Sequence, residues 1–101
     1  MSRYVLSKEA QADLRDIRDY IAKDSLRAAQ RVLSEFTEAF RGLSQMPRKG
    51  HVREDLTARK DVRFWPVYSY LVIYRPDKKP LEIVAILHGM RDVKRVLGER
   101  D

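Results

Sequence analysis

Cysteine is absent from this chain of 101 residues, and glycine and proline occur only four times each. Without a thiol there is no disulfide frame, no thiolate metal site and no cysteine nucleophile. Long hydrophobic runs are missing as well. The opening MSRYVLSKEAQADL contains no apolar stretch of signal-peptide length, and no segment approaches the roughly 20 apolar residues of a membrane span. Glycine-rich phosphate loops, Ser/His/Asp sets, paired-carboxylate constellations, internal repeats and low-complexity tracts are also lacking. The two histidines, His51 and His88, stand far apart without the spacing of a metal site, so no metal and no cofactor is expected. What remains is the expectation of a soluble, cytoplasmic single domain over residues 1–101 with one modest core.

Hydrophobic residues make up 44% of the chain, enough to bury such a core and to argue against wholesale disorder. The net charge is +6 and unevenly spread: residues 1–47 contribute +1 and residues 48–101 contribute +5. A basic half can mark a nucleic-acid partner, an acidic protein partner or only a solubilising surface.

Arg3 to Leu6 reads as a short strand ending at Ser7, whose hydroxyl can accept from a free N–H of a following helix. Ala10, Leu14, Ile17 and Ile21 then recur on one helical stripe, predicting a helix to about Lys23. Asp24 and Ser25 can cap a second helix, with apolar positions Ala29, Val32, Leu33, Phe36, Phe40 and Leu43. Pro47 and Gly50 mark its end. Two amphipathic helices so closely linked form an antiparallel hairpin that needs an apolar surface to lie on. After a basic, irregular stretch from Arg48 to Lys60, strands are predicted near Val62–Trp65, Tyr70–Arg75 and Leu81–Leu87. Pro66 belongs at an edge or bend, because it cannot donate to a ladder. A short C-terminal helix over Asp92–Leu97 completes the pattern. The order β-α-α-β-β-β predicts an α+β domain, a helix hairpin on one face of an antiparallel sheet, with the other face open to solvent.

Several pieces of the sequence, taken in order, resemble the ParE-type toxins of the RelE/ParE superfamily from bacterial type II toxin–antitoxin systems. They are the run Ala10, Asp13, Leu14, Ile17, Tyr20, Ile21; the segment Met46, Pro47, Gly50, His51, Arg53, Asp55, Leu56; then Val62-Arg63-Phe64, Tyr70-Leu71-Val72-Ile73-Tyr74-Arg75 and Leu81-Glu82-Ile83; and the closing His88-Gly89-x-Arg91-Asp92. The resemblance covers Tyr4 to about Leu97. It implies a toxin neutralised by a cognate antitoxin, ParD-like or another small DNA-binding protein with a disordered tail, in a hetero-oligomer. It implies DNA gyrase as the target, and DNA contact only indirectly through the antitoxin. The RelE branch instead cuts mRNA on the ribosome, which requires a proton acceptor, a proton donor and cations on the phosphorane. At the position of an arginine that RelE-type nucleases commonly use stands Leu71, and no tyrosine follows Tyr74. Only Arg91 matches a RelE-type basic residue, with His88 as a potential acid or base. The expectation is therefore a non-enzymatic toxin, with the RelE-type nuclease and a non-toxic corepressor as alternatives.

The residues expected to meet the antitoxin or target are Arg63, Trp65, Arg75, His88, Arg91, Lys94 and Arg95. Several have a plainer reading. His88, closing an apolar strand beside Gly89, reads as a partly buried hydrogen-bonding residue that fixes the strand end. Trp65, Tyr68, Tyr70 and Tyr74 read mostly as core rather than as base-stacking platforms. Arg48, Lys49, Arg53, Arg59, Lys60 and Arg63, offset by Glu54, Asp55 and Asp61, read as a solvated loop.

Overall fold

Ser7 closes one element and opens the next. In the computed structural model, which describes residues 3–90 and 92–100, strand β1 covers Tyr4–Leu6 and helix α1 covers Lys8–Ala22. Between them the Ser7 hydroxyl accepts from the Ala10 N–H at 3.0 Å and donates to the Val84 carbonyl at 3.2 Å. Ser25 caps helix α2 (Leu26–Gln45) in the same way, accepting from the Ala28 N–H at 3.0 Å. Of the two expected caps it is thus Ser25, not Asp24, that accepts the bond. Past α2 the chain takes a short 3-10 turn over Pro47–Lys49, so the stretch expected to be irregular from Arg48 begins with a regular turn. Strands β2 (Arg63–Val67), β3 (Tyr70–Arg75) and β4 (Leu81–His88) follow, then helix α3 (Val93–Glu99).

The sheet order is β1-β4-β3-β2. The β2–β3 and β3–β4 pairs are antiparallel, but β1 runs parallel to β4. That departs from the expected antiparallel sheet: the intervening helices and strands supply the long crossover a parallel pair needs. Pro66 sits on the edge strand β2, as expected. The Phe64 N–H and carbonyl both pair outward with His51 at 2.8 Å. By alternation Pro66 also faces outward, where its missing N–H costs nothing.

Both faces of the sheet are covered. Phe36, Phe40, Leu43, Ile17 and Ala10 from the helix hairpin pack on Val67, Val72, Tyr74, Leu81, Ile83 and Ile86. The opposite face was expected to be open; instead Leu71, Ile73, Val84 and Ala85 lie under Val93, Val96 and Leu97 of α3, with Leu56, Val62 and Phe64. The spacing of Val93, Val96 and Leu97 gives α3 one apolar stripe, and that stripe had to be buried somewhere. No helix among the described residues is long and apolar enough to cross a membrane.

One irregularity decides what faces where. Ile73 pairs with Ala85 but Tyr74 pairs with Ile83, so Val84 is an extra residue. Such a bulge reverses the alternation of everything beyond it. Leu81 and Ile83 face the helix hairpin, Val84 and Ala85 face α3, and Ile86 faces the hairpin again. His88 therefore lies on the hairpin side, opposite Tyr70.

Candidate functional site

The basic second half folds back on itself before it can meet anything else. Tyr74 is fully buried; its hydroxyl donates to the Pro47 carbonyl at 2.6 Å and accepts from the Gly50 N–H at 2.9 Å. Burial pushes the Tyr74 phenol up, so it keeps the proton it donates. A Cβ at residue 50 would overlap the Tyr74 ring and hydroxyl, so glycine is required there by close approach rather than by helix termination. Arg63 is bound to the same loop, donating to the Gly50 carbonyl at 2.8 Å. Trp65 is half-buried, with the Lys49 ammonium 4.7 Å from its ring centre and the exposed His51 ring stacked at 6.0 Å. Its contacts are therefore already occupied by this chain's own cation and imidazole.

Arg75, at the end of β3, pairs with Asp61 at 3.3 Å and with Glu82 at 3.1 Å. Asp61 also takes both arms of Arg59. The Arg59 hydrogen bonds, with help from the nearby positive charges, bring the Asp61 carboxyl down to about 2. Arg59 additionally donates to the Leu97 and Arg100 carbonyls at 3.1 and 2.8 Å, which satisfies the free acceptors at the end of α3. The stretch expected to be a solvated loop is thus in part a structural clamp, with Leu56 and Thr57 buried beneath it.

The outer side of α3 is different. Lys94 and Arg95 are exposed. Arg95 reaches Asp92 and Glu99 only at 3.7 Å, and such exposed pairs are worth little and exchange readily. Arg91 lies outside the described residues. The far end of α3 is held by Arg100, which grips Asp13 of α1 at 2.7 and 3.2 Å. Asp13 in turn accepts from the Ile86 N–H at 3.0 Å, covering the β4 edge where the short β1 has ended.

His88 departs from its sequence reading. It is exposed rather than partly buried, and among the described residues its side chain makes an edge contact with the Tyr70 ring at 5.1 Å and no hydrogen bond. The bulge at Val84 is the cause, since it aims His88 out past the end of α1. There Asp16, Ile17 and Tyr20 of α1 join Tyr70 and His88 around a groove of about 330 Å³. Tyr70 is braced from behind by Phe36 at 5.7 Å. Burial, with Tyr20 beside it, pushes the Tyr70 phenol up. Asp16 was not singled out from the sequence, and Tyr20 entered only as part of the helical run. The available signal was an aromatic at 20 lying off the Ala10–Leu14–Ile17–Ile21 stripe, one helical turn after an aspartate. Among the described residues no group of three or more His, Asp or Glu comes together as metal ligands would.

Comparison with known proteins gives one consistent result. The family model described as ParE toxin of type II toxin-antitoxin system, parDE, matches residues 4–93. The curated Toxin ParE3 of Caulobacter vibrioides is 30% identical over 101 residues, covering 99% of each chain. Among solved structures, the chromosomal ParDE TA system from P. aeruginosa superposes with a TM-score of 0.70 at 22% identity, over 88% of this chain and 97% of that one. The structural match shows a shared fold.

Proposed function

Because this chain belongs to the ParE toxin family of type II toxin–antitoxin systems, we propose that it acts by binding and not by chemistry: it traps DNA gyrase and is silenced by an antitoxin whose tail folds along it. The observation that carries this reading is the state of its charged side chains. RNA cleavage would require cations gathered around a general acid or base. Among the described residues, His88 instead stands with an aspartate and two tyrosines, while Arg63 and Arg75 are engaged in holding the loop and the sheet. Lys94 and Arg95, two of the exposed cations and neighbours on α3, suit an acidic segment of a protein partner. A disordered acidic tail that orders along this surface would hide it from the target by occlusion.

Induced expression without the antitoxin tests the proposal. Filamentation, a DNA-damage response and accumulation of gyrase–DNA complexes are the expected outcome. Prompt translational arrest with codon-positioned mRNA cuts would replace it with the RelE-type nuclease. Unaffected growth would leave the corepressor role.

A further inference from the structure

The groove between α1 and the ends of β3 and β4 is chemically unlike the rest of the surface. Its polar walls are three rings, those of Tyr20, Tyr70 and His88, and one carboxylate, Asp16. Of the three aspartates of α1, Asp13 is paired with Arg100 and Asp19 with Arg18. Asp16 makes no hydrogen bond or ion pair with any described residue. Tyr20 is 70% exposed, so its ring is accessible to a partner from solvent. The Tyr70 wall is fixed from two sides by Phe36 and His88.

We propose that this groove is a recognition site for an arginine side chain presented by a protein partner. A guanidinium is planar, stacks on aromatic faces and bonds a carboxylate through a two-pronged fork, which matches these walls. The volume is at the lower end for a ligand cavity and suits one side chain rather than a cofactor. The net charge of +6 opposes a cationic guest at long range, so binding has to come from Asp16 and the three rings at short range. The β-bulge at Val84 is the device that completes the site. Without the extra residue, alternation would send His88 to the α3 side of the sheet and leave the groove one wall short. The site stands apart from Lys94 and Arg95 on α3, and its existence does not depend on whether gyrase is the target.

The test is an amide-resolved NMR titration of the full chain with N-acetyl-arginine amide, beside the neutral isostere N-acetyl-citrulline amide. The arginine derivative should shift the amides of Asp16, Tyr20, Tyr70 and His88 together, and the citrulline derivative should leave them unmoved. Asp16→Asn and Tyr20→Leu should each weaken the arginine response by about two- to fivefold. Both side chains are on the surface, so unchanged unfolding midpoints will show that the variants are folded. Tyr20→Leu keeps an apolar wall and removes only the ring. Equal shifts from citrulline, an undiminished response in either variant, or shifts spread over the other carboxylates would overturn the assignment. So would self-association through the same residues without any probe, which would make the occupant a second copy of this chain.

Discussion

Tyr74 carries a hydroxyl into the core and spends both of its hydrogen-bonding capacities on one loop. Replacing it with phenylalanine leaves the Gly50 N–H and the Pro47 carbonyl without their partner. The expected loss is about 1–3 kcal/mol, read from the urea midpoint. Gly50→Ala should cost about as much for the opposite reason, overpacking against the same ring. Neither role was legible in the sequence. Tyr74 looked like one more aromatic in an apolar strand, and Gly50 like a helix stop, because the bond joining them spans 24 positions. The pH dependence is also a single-residue matter. Asp61 titrates at about 2 in the fold, below the ordinary carboxylate value near 4. A lowered pKa contributes stability that is fully present above the unfolded value and is lost as pH falls from about 4 through about 2. Asp61→Asn should therefore flatten the fall in melting temperature across that window, while leaving the shape of the curve above pH 5 unchanged.

At the scale of elements, the helices and strands were largely readable and their couplings were not. Ser7 and Ser25 announced two helix starts, and β3 began and ended where its β-branched and aromatic run did. The bulge in β4 left no trace. Leu81–Leu87 is apolar at every position but Glu82, so an inserted residue disturbs no visible alternation. The parallel β1–β4 pair and the cover that α3 provides were hidden for a related reason: both are contacts between distant parts of the chain. The tie between α1 and the chain end is the sharpest case. Asp13→Ala would strip the Arg100 guanidinium and the Ile86 N–H of their partner at once. A cost of about 2–3 kcal/mol is expected, together with faster hydrogen exchange in α3 than in α2. If α3 keeps its protection, the Arg100–Asp13 pair is a surface ornament and the apolar stripe of Val93, Val96 and Leu97 holds the helix alone.

For the molecule as a whole, the arginines that bind the protein's own carboxylates and carbonyls differ from the exposed cations, of which α3 carries two. Arg59, Arg63, Arg75 and Arg100 hold the protein together through short bonds to carboxylates and carbonyls. Lys94 and Arg95 face outward on α3. Excess basic charge in the sequence reports only their sum; that Arg63 and Arg75 also serve the fold is seen only in their bonds to Gly50, Asp61 and Glu82. Reversing Lys94 and Arg95 to glutamate should leave the melting temperature within a degree or two. It should weaken binding of an acidic antitoxin tail by about tenfold or more, with the difference shrinking as salt is raised.

The central claim is that this toxin-family domain acts by occupying its target. Its most direct measurement adds the purified chain to DNA gyrase and supercoiled plasmid, with translating ribosomes as a parallel substrate. The account predicts protein-linked DNA breaks that rise with toxin and saturate at a fixed ratio of toxin to gyrase, with ribosome-bound mRNA left intact. Gyrase that keeps working while trace amounts of the chain cut mRNA repeatedly would contradict it.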